Sequence, residues 1–399
     1  MNVQVPLSKP WFDDSEPLVA SEVVKSGWLF MGPQVREFEM QFAAMIGTKH
    51  AIAVNSGSSA LLVTLLSLGI GPGDEILAPD MTFVSTASCA LFTGATPKFV
   101  DIELNTYGMD PADLERRITP QTRAIIPVHY AGQTAEMRPI LDIAATHGIP
   151  VIEDAAEAQM SCYGDRNAGT LAKAAIFSFT PSKLMTVGEG GMIVTDDDGI
   201  AERAGLARNF GDQGKFAWST LGFNFRMMDI QGAIGLRQLH KVHEAVRRRR
   251  LIAQEYTNAF RKIPGVVTPY VRREADTNFQ LYTILIGPTA DGIDRDDFMQ
   301  TLATRGVASR LYYPALHRAP VFAHTIPGSD DQFPNATYFA QSAVSLPIYP
   351  TMTEEEIRYV IRSVEDIMAA PAASQSKCRT TSSNQKGLPL RTGGHVGVP

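Results

Sequence analysis

The sequence predicts an α/β protein, with a mostly parallel sheet of seven strands between helices and a smaller α+β domain after it. Three observations predict this. Between residues 51 and 196 short apolar runs alternate with amphipathic segments, the pattern of right-handed β-α-β crossover units. The 399 residues exceed what a single core serves, since hydrophobic cores stop growing at roughly 250–300 residues. Past about residue 245 the alternation gives way to a long helical pattern and isolated strand-like runs. The expected division is therefore a large domain over residues 1–245, a small domain over 246–370, and a tail over 371–399.

Taken in order, strands are expected at residues 51–54, 75–78, 97–100, 124–128, 151–152, 175–179 and 192–194. Helices are expected between them at 60–68, 86–93 and 137–146. Parallel sheets of this kind bind ligands beyond the carboxyl ends of their strands, where Asn55-Ser56-Gly57, Pro79-Asp80, His129 and Asp154 fall. The small domain opens with a helix carrying Val246, Leu251, Tyr256 and Phe260 and continues with a strand at 279–286. It closes with a helix after Thr353, where Thr353 and Glu356 form a capping-box pattern before Ile357, Val360 and Val364. In the tail Ser, Thr, Gly, Gln and Pro dominate, too little apolar surface to offset ordering entropy, so disorder is expected there.

Composition narrows the partners. The 36 basic and 42 acidic side chains leave a charge of −6, against a nucleic-acid partner. The basic run Arg247-Arg248-Arg249-Arg250 sits in a helical pattern and reads as a solvated face. The longest apolar runs fall short of the ~20 residues that span a bilayer, so no membrane association is expected. Three scattered cysteines without metal spacing, and no leader before them, point to a cytoplasmic setting; Cys89, in an apolar stretch, reads as core. His240 and His243 have no acidic or cysteine partner in sequence, so no metal site is expected.

The chemistry is concentrated in two segments. Lys183 lies in Phe177-Ser178-Phe179-Thr180-Pro181-Ser182-Lys183, ahead of the glycine-rich Gly188-Glu189-Gly190-Gly191. Asp154 ends the buried run Ile149-Pro150-Val151-Ile152-Glu153-Asp154. A lysine at a glycine-rich turn and a strand-end aspartate are the pair that pyridoxal 5'-phosphate needs: an amine for its aldehyde and a carboxylate to keep its ring nitrogen protonated. The turn Asn55-Ser56-Gly57-Ser58-Ser59 feeds a helix N-terminus, which suits a phosphate and equally suits a serine-capped helix. Gly69-Ile70-Gly71-Pro72-Gly73 follows a helix and precedes a strand, the wrong order for a dinucleotide site, and reads as a connecting turn. Phe83 follows a strand end, where it can stack on a planar ring or pack in the core. Ser178 is a second phosphate donor candidate, and His129 either bonds the ring hydroxyl or satisfies a loop.

These motifs, with Gly71-Pro72-Gly73-Asp74-Glu75, Ile126-Pro127-Val128-His129, Glu153-Asp154-Ala155-Ala156, Gly222-Phe223-Asn224-Phe225-Arg226-Met227 and Tyr313-Pro314-Ala315-Leu316-His317, resemble the DegT/StrS sugar aminotransferases from about residue 5 to 370. The resemblance implies a fold-type I homodimer dependent on pyridoxal 5'-phosphate, with active sites shared across the two-fold axis. Carried over by position, it implies Lys183 as Schiff-base lysine and Asp154 as partner of the ring nitrogen. It further implies Phe83 as stacking aromatic, Gly57, Ser58, Ser59 and Ser178 around the phosphate, and Asn224 as a phosphate ligand given to the neighbouring subunit. Phe30, Met31, His129, Arg226, Tyr313 and His317 are candidate substrate contacts. Two positions depart from the pattern. Glu157 stands near the cofactor ring where many members have glutamine, and Phe30-Met31 stand where members often show threonine.

The expected activity is transfer of an amino group from glutamate or glutamine to a keto-sugar, nucleotide-linked, or a keto-cyclitol. The alternatives are a dehydratase or lyase on the same scaffold, in which family members replace the lysine with histidine, and a non-catalytic regulator, which would lose part of the lysine, aspartate and phosphate-turn set.

Overall fold

The structure, a computed structural model, describes residues 4–370 apart from 274, 288–292, 324, 325 and 327. The tail expected over 371–399 lies outside the described residues.

Helices α1 (Ser15–Ser26) and α2 (Pro33–Ile46) precede the sheet, and each ends on a left-handed glycine, Gly27 and Gly47. The sheet strands are β1 (His50–Val54), β2 (Glu75–Pro79), β3 (Thr96–Val100), β4 (Thr122–Ile125) and β5 (Ile152–Asp154). After a short hairpin of β6 (Cys162–Tyr163) and β7 (Arg166–Asn167) come β8 (Ala174–Ser178) and β9 (Gly191–Thr195). The four strands β1-β9-β8-β5 pair side by side, as do the three strands β3-β2-β4. Parallel bridges Ile125–Val151 and Val128–Asp154 join the two sets, giving the order β1-β9-β8-β5-β4-β2-β3. Only β9 runs against its neighbours. The seven-stranded, mostly parallel sheet is thus the one the alternation predicts.

The period-2 pleat divides the strand residues between two layers. Ala53, Ala175, Phe177, Met192 and Val194 pack on one face with Phe38 and Phe42 of α2 and with Val242 and Val246 of a later helix, α8 (Asp229–Phe260). Ile52, Val54, Ile176 and Ile193 pack on the other with α3 (Gly57–Ser67) and α7 (Asp198–Ala207). The helices α4 (Val84–Thr93), α5 (Pro111–Arg117) and α6 (Met137–His147) complete the crossovers, and Cys89 of α4 is buried.

Helix α8 is 32 residues long and begins at Asp229, so the expected boundary at 245 falls inside it. Its C-terminal half gives Ile252, Tyr256 and Phe260 to a second core. That core is built on β10 (Val266–Val267), β12 (Tyr282–Ile286) and β13 (Ala343–Leu346), with β11 (Ala275–Asp276) pairing back to β6. Helices α9 (Arg295–Thr304), α10 (Pro334–Ser342) and α11 (Glu354–Ala369) complete this part; α11 opens with the Thr353–Glu356 capping box. Val5 joins the same core through its bridge to Val307, so the N-terminal segment crosses over to the C-terminal part of the chain.

The reading of Arg247–Arg250 as a solvated face is corrected at Arg249, which is 2% exposed. At about 100° per residue one of four consecutive helical positions turns inward. Its Nη1 donates to the carbonyls of Phe279 and Gln280 at 3.0 Å each, and burial pushes its guanidinium down to about 10. Arg247 and Arg248 stay outside on Glu244.

Candidate active site

A cleft of about 710 Å³ opens at the carboxyl ends of the strands, bounded on its far side by residues 308–313 and by Leu7 and Ser8 of the N-terminal segment. Its floor is built at β5. The pleat sends successive residues to opposite faces, so Asp154 meets the cleft while Glu153 turns beneath the sheet. Asp154 is 5% exposed; its Oδ2 accepts from Thr86 Oγ1 at 2.8 Å and its Oδ1 from the Ala156 N–H at 3.2 Å. Burial raises its carboxyl above the ordinary range, and those two hydrogen bonds offset part of the effect.

Lys183 leaves a turn between β8 and β9 and is mostly buried; its Nζ donates to Glu157 Oε1 at 2.9 Å. Glu157 also accepts from Tyr313 Oη at 3.0 Å and, at Oε2, from the Ala131 N–H at 2.9 Å. The Tyr313 phenol is pushed well above its usual value, first by burial and then by this carboxylate. Asn278 holds the Glu157 loop by donating to the carbonyls of Glu157 and Gln159, and Gln280 donates to the carbonyl of Ser182 beside Lys183. Buried Arg249 grips the same 279–280 backbone, so one network braces both the lysine and its carboxylate. Asn278 and Gln280 are not among the residues the sequence points to, and Arg249 enters it only within the basic run. Two amides at the mouth of an apolar strand run were the available signal, because buried amides must find partners.

The turn over residues 55–59 is a serine-capped helix start whose first N–H groups also suit an anion. Ser56 caps α3, accepting from the Ser59 N–H at 3.1 Å, and the helix starts at Gly57, three residues before the expected start at residue 60. The N–H groups of the first helical turn have no intrahelical acceptors and make an anion cradle. Gly57 is required by close approach: a Cβ there would lie 3.0 Å from the Ser178 Cβ and 3.2 Å from its Oγ. Gly191 serves a similar end, since a Cβ there would meet the Ser56 carbonyl oxygen at 2.3 Å. Ser58 Oγ bonds Ser85 Oγ at 2.7 Å, bringing the starts of α3 and α4 to one point. The Ser59 hydroxyl turns back to Asn55 Oδ1 at 2.7 Å and to Ser56, and Ser59 does not line the cleft. Phe83, half exposed in the cleft, lies with its ring 5.7 Å from that of Tyr313.

Of the six candidate substrate contacts, Tyr313 lines the cleft. Two histidines make their hydrogen bonds within the fold, His129 in the loop-satisfying way its sequence allowed. His129 is fully buried, with Nδ1 accepting from the Ala135 N–H at 3.2 Å and Nε2 3.0 Å from Glu153. Glu153 in turn accepts from the N–H groups of Gly169, Leu171 and Ala172, so the pair anchors the chain leading into β8. His317 is buried between Asp80, 2.7 Å away, and Asp330, 3.0 Å away, against the Phe333 ring. Phe30 is exposed and Met31 packs against the sheet core; neither lines the cleft of its own chain. Arg226 donates to Asn209 at 2.5 Å and lies over the Phe210 ring, and Asn224 is exposed on the loop before α8.

The cleft fits pyridoxal 5'-phosphate on its own chemistry: a backbone cradle at Gly57 and Ser58, a buried carboxylate that makes no ion pair with any described residue, and a primary amine within the same pocket. Fold and site together define a fold-type I enzyme of the pyridoxal phosphate class. The DegT/DnrJ/EryC1/StrS aminotransferase family model matches residues 12–365, and the chain belongs to that family. It is 37% identical over 378 residues to the spore coat polysaccharide biosynthesis protein SpsC of Bacillus subtilis, covering 91% of this chain and 97% of that one. It is likewise 37% identical over 371 residues to the GDP-perosamine synthase of Caulobacter vibrioides, covering 92% and 98%. The fold superposes on S. venezuelae DesV, solved with a ketimine intermediate, with a TM-score of 0.86 at 33% identity over 92% of this chain and 99% of that one. It matches the PMP form of Spr1654, a sugar aminotransferase of Streptococcus pneumoniae, with a TM-score of 0.88 at 25% identity, over 94% and 99%. The protein is a pyridoxal phosphate-dependent sugar aminotransferase acting on small molecules.

Proposed function

We propose that the enzyme transfers the amino group of glutamate or glutamine to a nucleotide-linked keto-sugar on a route to a surface polysaccharide, working in the cytoplasm as a homodimer. The observation that carries the reaction is the Lys183–Glu157–Tyr313 cluster opposite Asp154 in one cleft. The names of the relatives support the sugar acceptor and the polysaccharide context. Among the described residues no helix is long and apolar enough to cross a membrane.

Bound pyridoxal phosphate supplies a carbonyl that carries the amino group and a ring that takes up the electrons of a substrate carbanion. The protein does the rest. The α3 N-terminus, with Ser58 and Ser178, would hold the phosphate, and Asp154 would pair with the ring nitrogen. Phe83 would cover one face of the ring and exclude water from it. Lys183 Nζ would carry the proton between the substrate carbon that bears nitrogen and the cofactor's carbonyl carbon, serving as base and then as acid. Glu157 Oε1 orients that amine, and the Tyr313 hydroxyl fixes Glu157 in turn. Retention of Lys183, Asp154 and the phosphate turn favours transamination over the dehydratase and regulator readings.

The dimer reading rests on exposed apolar side chains flanking the site: Trp28, Phe30, Leu221, Phe223 and Met228 are between 43% and 93% exposed. Asn224 sits among the last three and is the residue expected to reach the partner's phosphate. The activity is tested by incubating the enzyme with keto-sugars and keto-cyclitols, with and without nucleotide, and either donor, reading amine formation by mass spectrometry. Amination of nucleotide-linked keto-sugars is expected; amination of none, or loss of water without amination, refutes the reading. The shared site is tested by mixing Lys183→Ala and Asn224→Ala parents. Regained activity is expected in the mixture; heterodimers that stay inactive refute it.

A further inference from the structure

We infer that Arg310 is the anion anchor of the cleft, binding the carboxylate of the amino donor or the phosphate of the acceptor by its guanidinium. The inference rests on the transaminase reading and names how that site recognises its charged substrates.

The argument starts from the charges lining the cleft. They are Asp154, Glu157 and Glu189 on the acidic side and Lys183 and Arg310 on the basic side. Lys183 is paired to Glu157 and is consumed by the chemistry. Arg310 is then the one cation of the cleft, among the described residues, that a substrate can use. Without it Glu189, and Glu157 once Lys183 has left it, would face an anionic substrate with no counter-charge, and like charges brought together in a confined site repel strongly.

Its surroundings suit that task. The Arg310 backbone is fixed at both ends to Ser345 of β13, with its N–H donating at 3.2 Å and its carbonyl accepting at 2.8 Å. The side chain, by contrast, is exposed to the cleft and makes no ion pair with any described residue. Its Cζ lies 5.8 Å from the centre of the Tyr312 ring. That ring meets Tyr313 edge-on at 5.2 Å, and the Tyr313 hydroxyl reaches Glu157 and hence Lys183. A row of two aromatic side chains thus connects the free guanidinium with the reacting amine. A guanidinium presents a planar fork matched to carboxylate and phosphate oxygens, and stacking limits the freedom lost on binding. Arg310 touches substrate in this account but moves no proton.

The test compares Arg310→Gln and Arg310→Lys with wild type, each loaded with cofactor and checked for an unchanged absorbance spectrum. One arm follows glutamate-driven conversion of the bound cofactor in a single turnover; the other titrates UDP and GDP calorimetrically. An oxyanion paired to a guanidinium is worth about 1.5–3 kcal/mol, so a loss of about ten- to a hundredfold is expected in Arg310→Gln. A weaker glutamate Kd with an unchanged limiting rate assigns the carboxylate, weaker nucleotide binding assigns the phosphate, and losses in both arms assign one subsite used in turn. Arg310→Lys should retain part of the affinity. Unchanged binding in both arms, or equal loss in the Lys and Gln variants, overturns the inference. The aminotransferase reading stands or falls separately, on whether the wild type turns over.

Discussion

Replacing Asp154 by asparagine separates two effects of opposite sign. In the cofactor-free protein this carboxylate is 5% exposed, with Thr86 Oγ1 and the Ala156 N–H as its hydrogen-bond donors, and burial raises its carboxyl. A carboxyl whose folded value lies above its unfolded value, near ~3.9, costs nothing below the unfolded value and progressively more as pH climbs through the folded one. The neutral amide keeps the shape and removes the charge; its oxygen accepts from the Ala156 N–H, and its NH2 donates to Thr86 Oγ1, which then accepts instead of donating. Cofactor-free Asp154→Asn should therefore unfold at higher urea than cofactor-free wild type at about pH 8, with the gap closing toward about pH 4. In the loaded enzyme the sign reverses, because a protonated ring nitrogen would then face an amide. Removing one partner of a buried ion pair costs about 3–5 kcal/mol, and if that loss appears in the transition state the rate falls by roughly two to four orders of magnitude. Circular dichroism reads the first effect and stopped-flow absorbance of the amino-transfer half-reaction the second. Near-normal turnover would refute the pairing and turn attention to Glu157, the other buried carboxylate of the cleft. An Asp154→Asn protein less stable than wild type at pH 8 would refute the desolvation account.

Lys183→Ala should fold, lose the long-wavelength absorbance of bound cofactor and lose activity; a borohydride-reducible adduct at another lysine would contradict its role. In Gly57→Ala the new Cβ meets Ser178 at 3.0 Å, and such overpacking costs about 1–3 kcal/mol. That cost should appear as weaker cofactor binding by equilibrium dialysis, with the urea midpoint of the cofactor-free protein less affected; unchanged binding would remove Gly57 from the cradle. Arg249→Met leaves the buried Phe279 and Gln280 carbonyls without their donor and should lower the stability of the cofactor-free protein by about 2–4 kcal/mol in urea unfolding. An unchanged midpoint there would mean that solvent or another donor replaces the guanidinium.

The architecture was legible because its signals are local and periodic. Apolar runs bounded by turns mark strands wherever they later pair, so the seven strands and the carboxyl-end placement of Asp154 and Gly57 follow from pattern alone. Lys183, Asp154 and the serine turn could be read because the chemistry of one cofactor demands those residue types, and the structure brings all three to one cleft. What pattern could not reveal was direction. Whether a polar side chain faces the cleft or the interior depends on rotation about one backbone and on a partner distant in sequence. His129 and His317 carry catalytic-looking side chains, yet each is claimed by a buried carboxylate, 24 and 237 positions away respectively. Ser59 is turned aside by Asn55, and Arg249 is drawn inward by carbonyls some thirty residues on. Conversely Arg310, inconspicuous in the sequence, gains its interest only because the tertiary structure leaves it without a carboxylate partner among the described residues in a cleft that holds three. The sequence by itself determined the fold class and pointed to Lys183 and Asp154, because both are encoded in residue type and spacing. Only the tertiary structure decided which of the remaining polar side chains are available to substrate, because a buried polar group must be satisfied, and its partner is chosen by packing across the chain.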